Sequence, residues 1–328
     1  MLAPNNITIW HWIGFVAAVV ILLGLDLCVF HRRAHVVRFK EALLWTAIWF
    51  CLAMLFAFSL MPLLTKNLGP AVSERKSLEF LTGYLIELSL SMDNMFVIAL
   101  IFAYFQVPSQ NQHRVLFWGI LGALAMRGLM ITVGVVLIDW LDWILYVFGL
   151  LIVVSGIKML FTHTEVAPEK NLVVRLARKI FPVAPHFDGD KFRTEWNGHM
   201  ALTPLALALV MVETMDLVFA IDSIPAIFAV TRDPFIVFTS NVFAILGLRS
   251  LYFVLAGAIG YFRYLKYGLA LVLVFIGVKM LIDPHDNPPR WFQIDIPIGT
   301  SLFTVAGIIL VSMAVSVAAS YRERKRSQ

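Results

Sequence analysis

Nine apolar stretches, each of about 20 residues or more, run through the chain near residues 9–30, 41–64, 78–105, 115–138, 141–161, 203–229, 235–259, 264–283 and 298–320. A helix rises about 1.5 Å per residue, so about 20 apolar residues match the roughly 30 Å hydrocarbon core of a bilayer. The pattern predicts an all-α polytopic membrane protein with about nine transmembrane helices. Composition agrees, since 60% of the 328 residues are hydrophobic and 14% charged, against about half and a quarter in a soluble domain. The first stretch has no positive flank before it and is long enough to span, so it is expected to stay as a helix rather than to be cleaved as a signal.

The basic residues alternate with this layout. Arg32, Arg33, Arg38 and Lys40 fill the first loop, Lys170, Arg175, Arg178, Lys179, Lys191 and Arg193 the long loop after the fifth stretch, and Arg322, Arg324, Lys325 and Arg326 the tail. With Arg263 and Lys266 they fall on one side of nine spans, which the positive-inside rule makes cytoplasmic. The N-terminus is then expected outside and the C-terminus inside, although Lys66, Arg75, Lys76 and Arg290 lie on the opposite side. The net charge of +5 is thus a topology signal, with the basic tail also suited to anionic lipid. No nucleic-acid partner is expected. Cys28 and Cys51 lie in apolar stretches and read as small hydrophobes rather than as a disulfide or thiolate site.

Five carboxylates interrupt the apolar pattern: Glu87 and Asp93 in the third stretch, and Glu213, Asp216 and Asp222 in the sixth. Each opposes insertion by about 2.5–3.5 kcal/mol at a helix centre, so together they oppose it by on the order of 10 kcal/mol. Such residues mark ion pathways and proton relays.

The chain also repeats itself. SGIKMLFT at Ser155–Thr162 recurs as IGVKMLID at Ile276–Asp283, Arg127 in LAMRGLM matches Arg249 in LGLRSLY, and SMDN ending at Asn94 matches AIDS ending at Ser223. In this register Glu87 pairs with Asp216 and Asp93 with Asp222. Each copy holds three spans, and an odd number inverts the second copy across the membrane. The expected organisation is two N-terminal helices over 1–70, a first repeat unit over 71–162, a cytoplasmic linker over 163–202, a second unit over 203–283, and a final helix with basic tail over 284–328. Inverted three-helix repeats are a transporter architecture whose site lies at the midplane between the copies. A partly helical surface segment is expected around Asn171–Ile180. His163, His186 and His199 in the linker lack tight ligand spacing and read as solvated.

Helical spacing places Glu87, Ser91 and Asn94 on one face, with Asp93 about 120° away. In the second copy Glu213, Asp216 and Ser223 share a face and Asp222 is turned from it. Pro225 cannot donate to the carbonyl of Ile221, so an irregular, broken helix with a freed carbonyl is expected beside Asp222. The first copy has Phe96 there. Carboxylate, amide, hydroxyl and carbonyl oxygens form a hard set suited to Mg2+, Ca2+ or Mn2+. Met92, Met211 and Met215 lie beside the acids; Met92 and Met215 are candidate soft ligands that would favour a transition metal, the plainer reading being helix filler. Five acids against Arg127 and Arg249 leave three negative charges, which one divalent ion and one proton would neutralise, so metal and proton are expected to compete. The two arginines are expected to pair with acids and hold helices together. Asp26, Lys158 and Lys279 are expected to snorkel to the interface.

At ELSLSMDNMFVIALIF and VETMDLVFAIDSIPAIFAV the chain resembles the TerC family of integral membrane proteins, with an Alx-like length and nine-span layout, and the resemblance covers nearly the whole chain without departure in these motifs. The resemblance associates it with LysE-type exporters. It implies export of Mn2+ from the cytoplasm across a bacterial inner membrane, with tellurium resistance and alkaline or redox response attached to some members. Carried onto this sequence, it makes Glu87, Asp93, Glu213, Asp216 and Asp222 the motif acids, and Asn94 and Ser223 their polar companions. An oxyanion such as tellurite would want donors and positive charge, and these residues are acidic. The rival reading is an accessory factor for folding or metal loading of other proteins. An enzyme is not expected, because no nucleophile, metalloprotease histidine pair or phosphate loop accompanies the acids.

Overall fold

The structure is a computed structural model that describes residues 7–30, 39–141, 143–161, 171–256, 265–283, 293–294 and 296–326. The side chains of 25–30, 256 and 320–326 are not part of that description, so the expectations for Asp26, Cys28, His163, Lys170, Arg263 and most of the first basic loop fall outside it. The regular secondary structure of the described chain is helical apart from one hairpin and an isolated bridge. In order come α1 (Ile9–Phe30), α2 (Phe39–Leu55), α3 (Met61–Leu64), α4 (Pro70–Tyr104), α5 (Ser109–Trp140), α6 (Ile144–Phe161), α7 (Leu172–Ile180), strands β1 (Arg193–Trp196) and β2 (His199–Leu202), α8 (Pro204–Phe228), α9 (Pro234–Ala256), α10 (Leu265–Ile282) and α11 (Ile298–Arg326). Eight helical segments are long and apolar enough to cross a membrane, and the described apolar part of α1, Ile9–Gly24, is a shorter ninth. The protein is an all-α polytopic membrane protein.

Local chemistry explains the ends. α2 and α3 form one continuous span, Phe39–Leu64, through a π-helical turn at Phe56–Leu60. Pro62 lies just beyond, and its ring would strike the carbonyl four residues back in a regular helix; a widened turn relieves that. α4 opens at Pro70 after Gly69, whose φ of +92° suits glycine. It begins well before the apolar stretch because its polar first turns have partners: Arg75 Nε pairs with Glu79 at 3.1 Å and Lys76 Nζ with Asp233 Oδ2 at 2.6 Å. The Thr203 and Asp233 side chains accept backbone N–H groups at the starts of α8 and α9, as caps do. The hairpin was not expected in the linker. Its turn, Asn197–Gly198, has φ values of 53° and 77°, the left-handed pair that an Asn-Gly hairpin demands.

Two apolar clusters hold the bundle. One ties α1, the continuous α2–α3 span, α4 and α9 through aromatic contacts, with Phe56 of that span's π-helical turn against Phe80 and Phe243 at ring-centroid distances of 4.9 and 5.0 Å, and Phe15 against Phe235 at 5.9 Å. The other gathers Ile152, Ile227, Leu273, Ile276 and Val305 from α6, α8, α10 and α11. Because lipid is as apolar as these side chains, close van der Waals approach drives helix association in a bilayer, and small residues supply it. A Cβ on Gly156 of α6 would stand 2.9 Å from the carbonyl of Ala270 in α10, and one on Gly277 would stand 2.8 Å from the carbonyl of Gly149. The repeat register exchanges these contacts, since 156 matches 277 and 149 matches 270. Residue numbers rise on one helix as they fall on the other, so α6 and α10 are antiparallel. α4 runs parallel to α9 (Gly83 at Ser240, Phe102 at Tyr252) as α5 does to α8 (Gly119 at Val212, Gly134 at Phe228).

Candidate functional site

The expected face of α4 is turned inward: Glu87 and Ser91 are wholly buried and Asn94 nearly so, while Asp93 is half-buried. Ser91 donates to Glu87 Oε1 over 3.3 Å. At that level α5 brings in Arg127, which is 1% exposed. Its Nη1 bonds Glu87 Oε1 and also donates to Asn241 Oδ1 of α9 at 2.8 Å. Its other edge grips Asp216 of α8 through Nη2 to Oδ1 at 2.9 Å and Nε to Oδ2 at 3.3 Å. Asn241 Nδ2 in turn donates to Glu87 Oε2 at 3.4 Å. One guanidinium thus joins the repeat-matched acids Glu87 and Asp216, and four helices meet on it. The two-edged fork is a geometry that arginine offers and lysine does not.

The other acids lie outside this clasp. Asp222 is half-buried and accepts from Ser155 Oγ of α6 at 2.8 Å, with Lys158 within electrostatic reach. Asp93 has Lys266 of α10 within reach. Glu213 is half-buried where α8 meets α5, its carboxylate filling the space beside Gly122 that any Cβ would occupy. Ser223 is 2% exposed, and among the described residues its Oγ has no hydrogen-bond partner, which buried hydroxyls rarely lack. Arg249 is half-buried on α9 and engaged in its own interactions.

The expectations for Pro225 and Lys279 change. Pro225 does not break α8, which runs helically to Phe228; the proline sits in the last turn, where losing one bond disrupts little. Lys279 is 3% exposed and sits 3.7 Å from Asp283 rather than snorkelling freely, because it lies on the face of α10 that Gly268 turns toward Ser312 of α11, whereas Lys158 is exposed. Met211 is fully buried in the apolar cluster, and Met92 and Met215 pack against it. His186 and His199 are exposed, with His186 edge-on to Trp196. Among the described residues no three His, Cys, Asp or Glu side chains form a metal-holding group; Arg127 stands between two of the acids that would build one.

Asn241 was missed. Its signal was the run Thr239-Ser240-Asn241 within an apolar span, all three wholly buried, which the rule for intramembrane polar residues singles out.

The profile of the family described as "Integral membrane protein TerC family" matches residues 72–328. The chain belongs to the TerC family. A Myxococcus xanthus membrane protein, STKORF319, is 50% identical over 308 residues, covering 93% of this chain and 91% of its own. An Escherichia coli (strain K12) relative, "Putative membrane-bound redox modulator Alx", is 45% identical over 318 residues, 96% of each chain, and its Salmonella typhi counterpart is 44% identical over 317 residues, again 96% of each. No solved structure matches the chain.

Proposed function

We propose that this TerC protein is a secondary transporter of the bacterial inner membrane that exports Mn2+ from the cytoplasm, its N-terminus periplasmic and its C-terminus cytoplasmic. The observation that carries this reading is the Glu87–Arg127–Asp216 clasp, wholly buried at Glu87 and Arg127 and largely so at Asp216, one acid from each repeat copy, with Asp93, Asp222 and Glu213 outside it. Buried like charges in a bilayer persist where a cation completes them. Arg127 supplies a tethered cation to two acids, and Asp93 and Asp222, with the hydroxyls of Ser155 and Ser223, supply hard oxygens for a diffusible one. The exchanged contacts of α6 and α10 support an inverted repeat, the frame in which rocking of one unit against the other alternates access.

Both ends of the bundle are latched. Lys76 with Asp233, and Thr231 Oγ1 donating to Glu79 at 2.7 Å, join α4 to the α8–α9 turn on the side assigned to the periplasm. On the other side Arg114 pairs with Asp190 and Asn111 donates to the carbonyl of Gly189 at 2.8 Å. Releasing one latch while keeping the other is the motion this mechanism requires. Protons are the counter-ion the charge count suggests.

The test is Mn2+ uptake into everted vesicles and proteoliposomes holding wild type or Asp93→Asn, with Mg2+, Ca2+ and Zn2+ as competitors and a set pH gradient. Uptake lost in the variant supports the reading, and flux indifferent to the proton gradient removes the coupling. The redox role in the relative's name is the competing reading, as is an accessory role in folding or metal loading; absence of uptake by well-folded wild type under every gradient favours those.

A further inference from the structure

Helix α7 has three faces, and among the described residues only one is covered by protein. At 100° per residue, Val174 and Ala177 lie about 60° apart; Val174 is wholly buried, and both join the apolar cluster that includes Leu205 and Leu207 of α8. Leu172, Val173, Leu176 and Ile180 occupy a second arc of about 100°, and they are 76, 42, 51 and 61% exposed. Arg175, Arg178 and Lys179 fill the third arc and are exposed as well. Sorting by chance would mix leucines with arginines on the open side. Here apolar and basic residues are separated, as on a helix that lies in a membrane interface.

The place of α7 fits that solvent. Asn171 caps it, accepting from the N–H groups of Val173 and Val174. Beyond its C-terminus Val183 bridges to Leu202, two residues before α8 begins. The helix therefore sits at the end of the bundle where α8 enters the hydrocarbon. Phe181, 48% exposed, extends the apolar edge.

We propose that α7 lies in the headgroup layer of one leaflet, its leucine edge in the acyl boundary and Arg175, Arg178 and Lys179 against anionic lipid headgroups, so that the lipid surface holds the entry of the acid-bearing helix α8. The occupant is lipid because the exposed apolar arc adjoins a span end and its basic border complements anionic headgroups. This inference does not depend on which ion the protein carries.

A spin label attached through Leu176→Cys or Arg178→Cys, in full-length protein with Cys28→Ser and Cys51→Ser, measures depth by collision with oxygen and with a water-soluble nickel chelate. Both positions are exposed, so the labels displace no buried group. In vesicles of phosphatidylcholine with phosphatidylglycerol, position 176 is expected to meet oxygen in preference to nickel and position 178 the reverse. Depth at 176 should fall when phosphatidylglycerol is omitted, and in the presence of phosphatidylglycerol when Arg175→Gln and Lys179→Gln are added. Equal nickel access at both positions overturns the proposal, as does depth at 176 that ignores lipid charge. Spin–spin broadening at 176 that disappears on dilution with unlabelled protein would assign the face to a second copy and overturn it too.

Discussion

Replacing Arg127 with Gln strands two carboxylates, one wholly and one largely buried. At about 4 Å and an effective dielectric near 20, each of the two ion pairs has a gross attraction of about 4 kcal/mol. Desolvating three ions offsets most of that sum, so the intact cluster has a small net value against an apolar substitute. Removing only the cation is different, because Glu87 is 0% exposed and the Asp216 side chain only 14%, and both keep their desolvation penalty without the compensating charge. The expected loss is about 3–5 kcal/mol. The triple variant Glu87→Gln/Arg127→Leu/Asp216→Asn removes all three charges and is expected to regain most of that loss while transporting nothing. Reversible unfolding in mixed detergent–SDS micelles, arranged as a mutant cycle between Arg127 and Glu87, reads both quantities. An Arg127→Gln protein within about 1 kcal/mol of wild type, or a triple variant less stable than the single one, would refute the clasp as the element that joins the four helices.

Asn241→Leu keeps the volume but deprives Glu87 Oε2 and Arg127 Nη1 of a partner; a loss of about 1.5–3 kcal/mol with reduced Mn2+ flux is expected, checked by the same unfolding assay and by vesicle uptake. Gly156→Val and Gly277→Val force α6 from α10, because backbone carbonyls stand within 3 Å of the added Cβ. Each should destabilise by about 1–3 kcal/mol, while Gly14→Ala within α1, with nothing within 4 Å, should cost nothing and gain up to about 1 kcal/mol from helix propensity. Asp188, in the linker, is held below the usual carboxylate range by hydrogen bonds from Lys191 and Thr194. Its contribution is therefore present above the ordinary aspartate value of about 3.9 and lost as pH falls through the lower folded one. Hydrogen exchange around Thr194, corrected for intrinsic rates, should show constant protection from about pH 5 to 8, and less of it in Asp188→Asn.

Much of the fold was legible because a bilayer permits few solutions. Each apolar stretch became a helix, Leu172–Ile180 formed where a surface helix was expected, and that Glu87, Ser91 and Asn94 share one face followed from helical spacing. Boundaries were less legible where polar turns extend a span: α4 starts at Pro70 and α5 at Ser109, since hydropathy cannot see the partners of Arg75, Lys76 and Asn111. The hairpin was signalled by Asn197–Gly198 but lost among the charges of the linker.

Spacing along a helix states which residues share its face, and hydropathy states which segments leave water; both are properties of the chain alone, and with the motifs they determined the class, the repeat register, the family and the set of acids. They do not state how a helix is rotated against its neighbours. That was decided by the bundle. Contact of α4, α5, α8 and α9 placed one guanidinium between Glu87 and Asp216, recruited Asn241, and left Asp93 and Asp222 outside, while the face of α10 turned toward α11 enclosed Lys279. A buried charge takes the partner that tertiary packing brings within hydrogen-bond reach, and that choice among several acids is made in three dimensions.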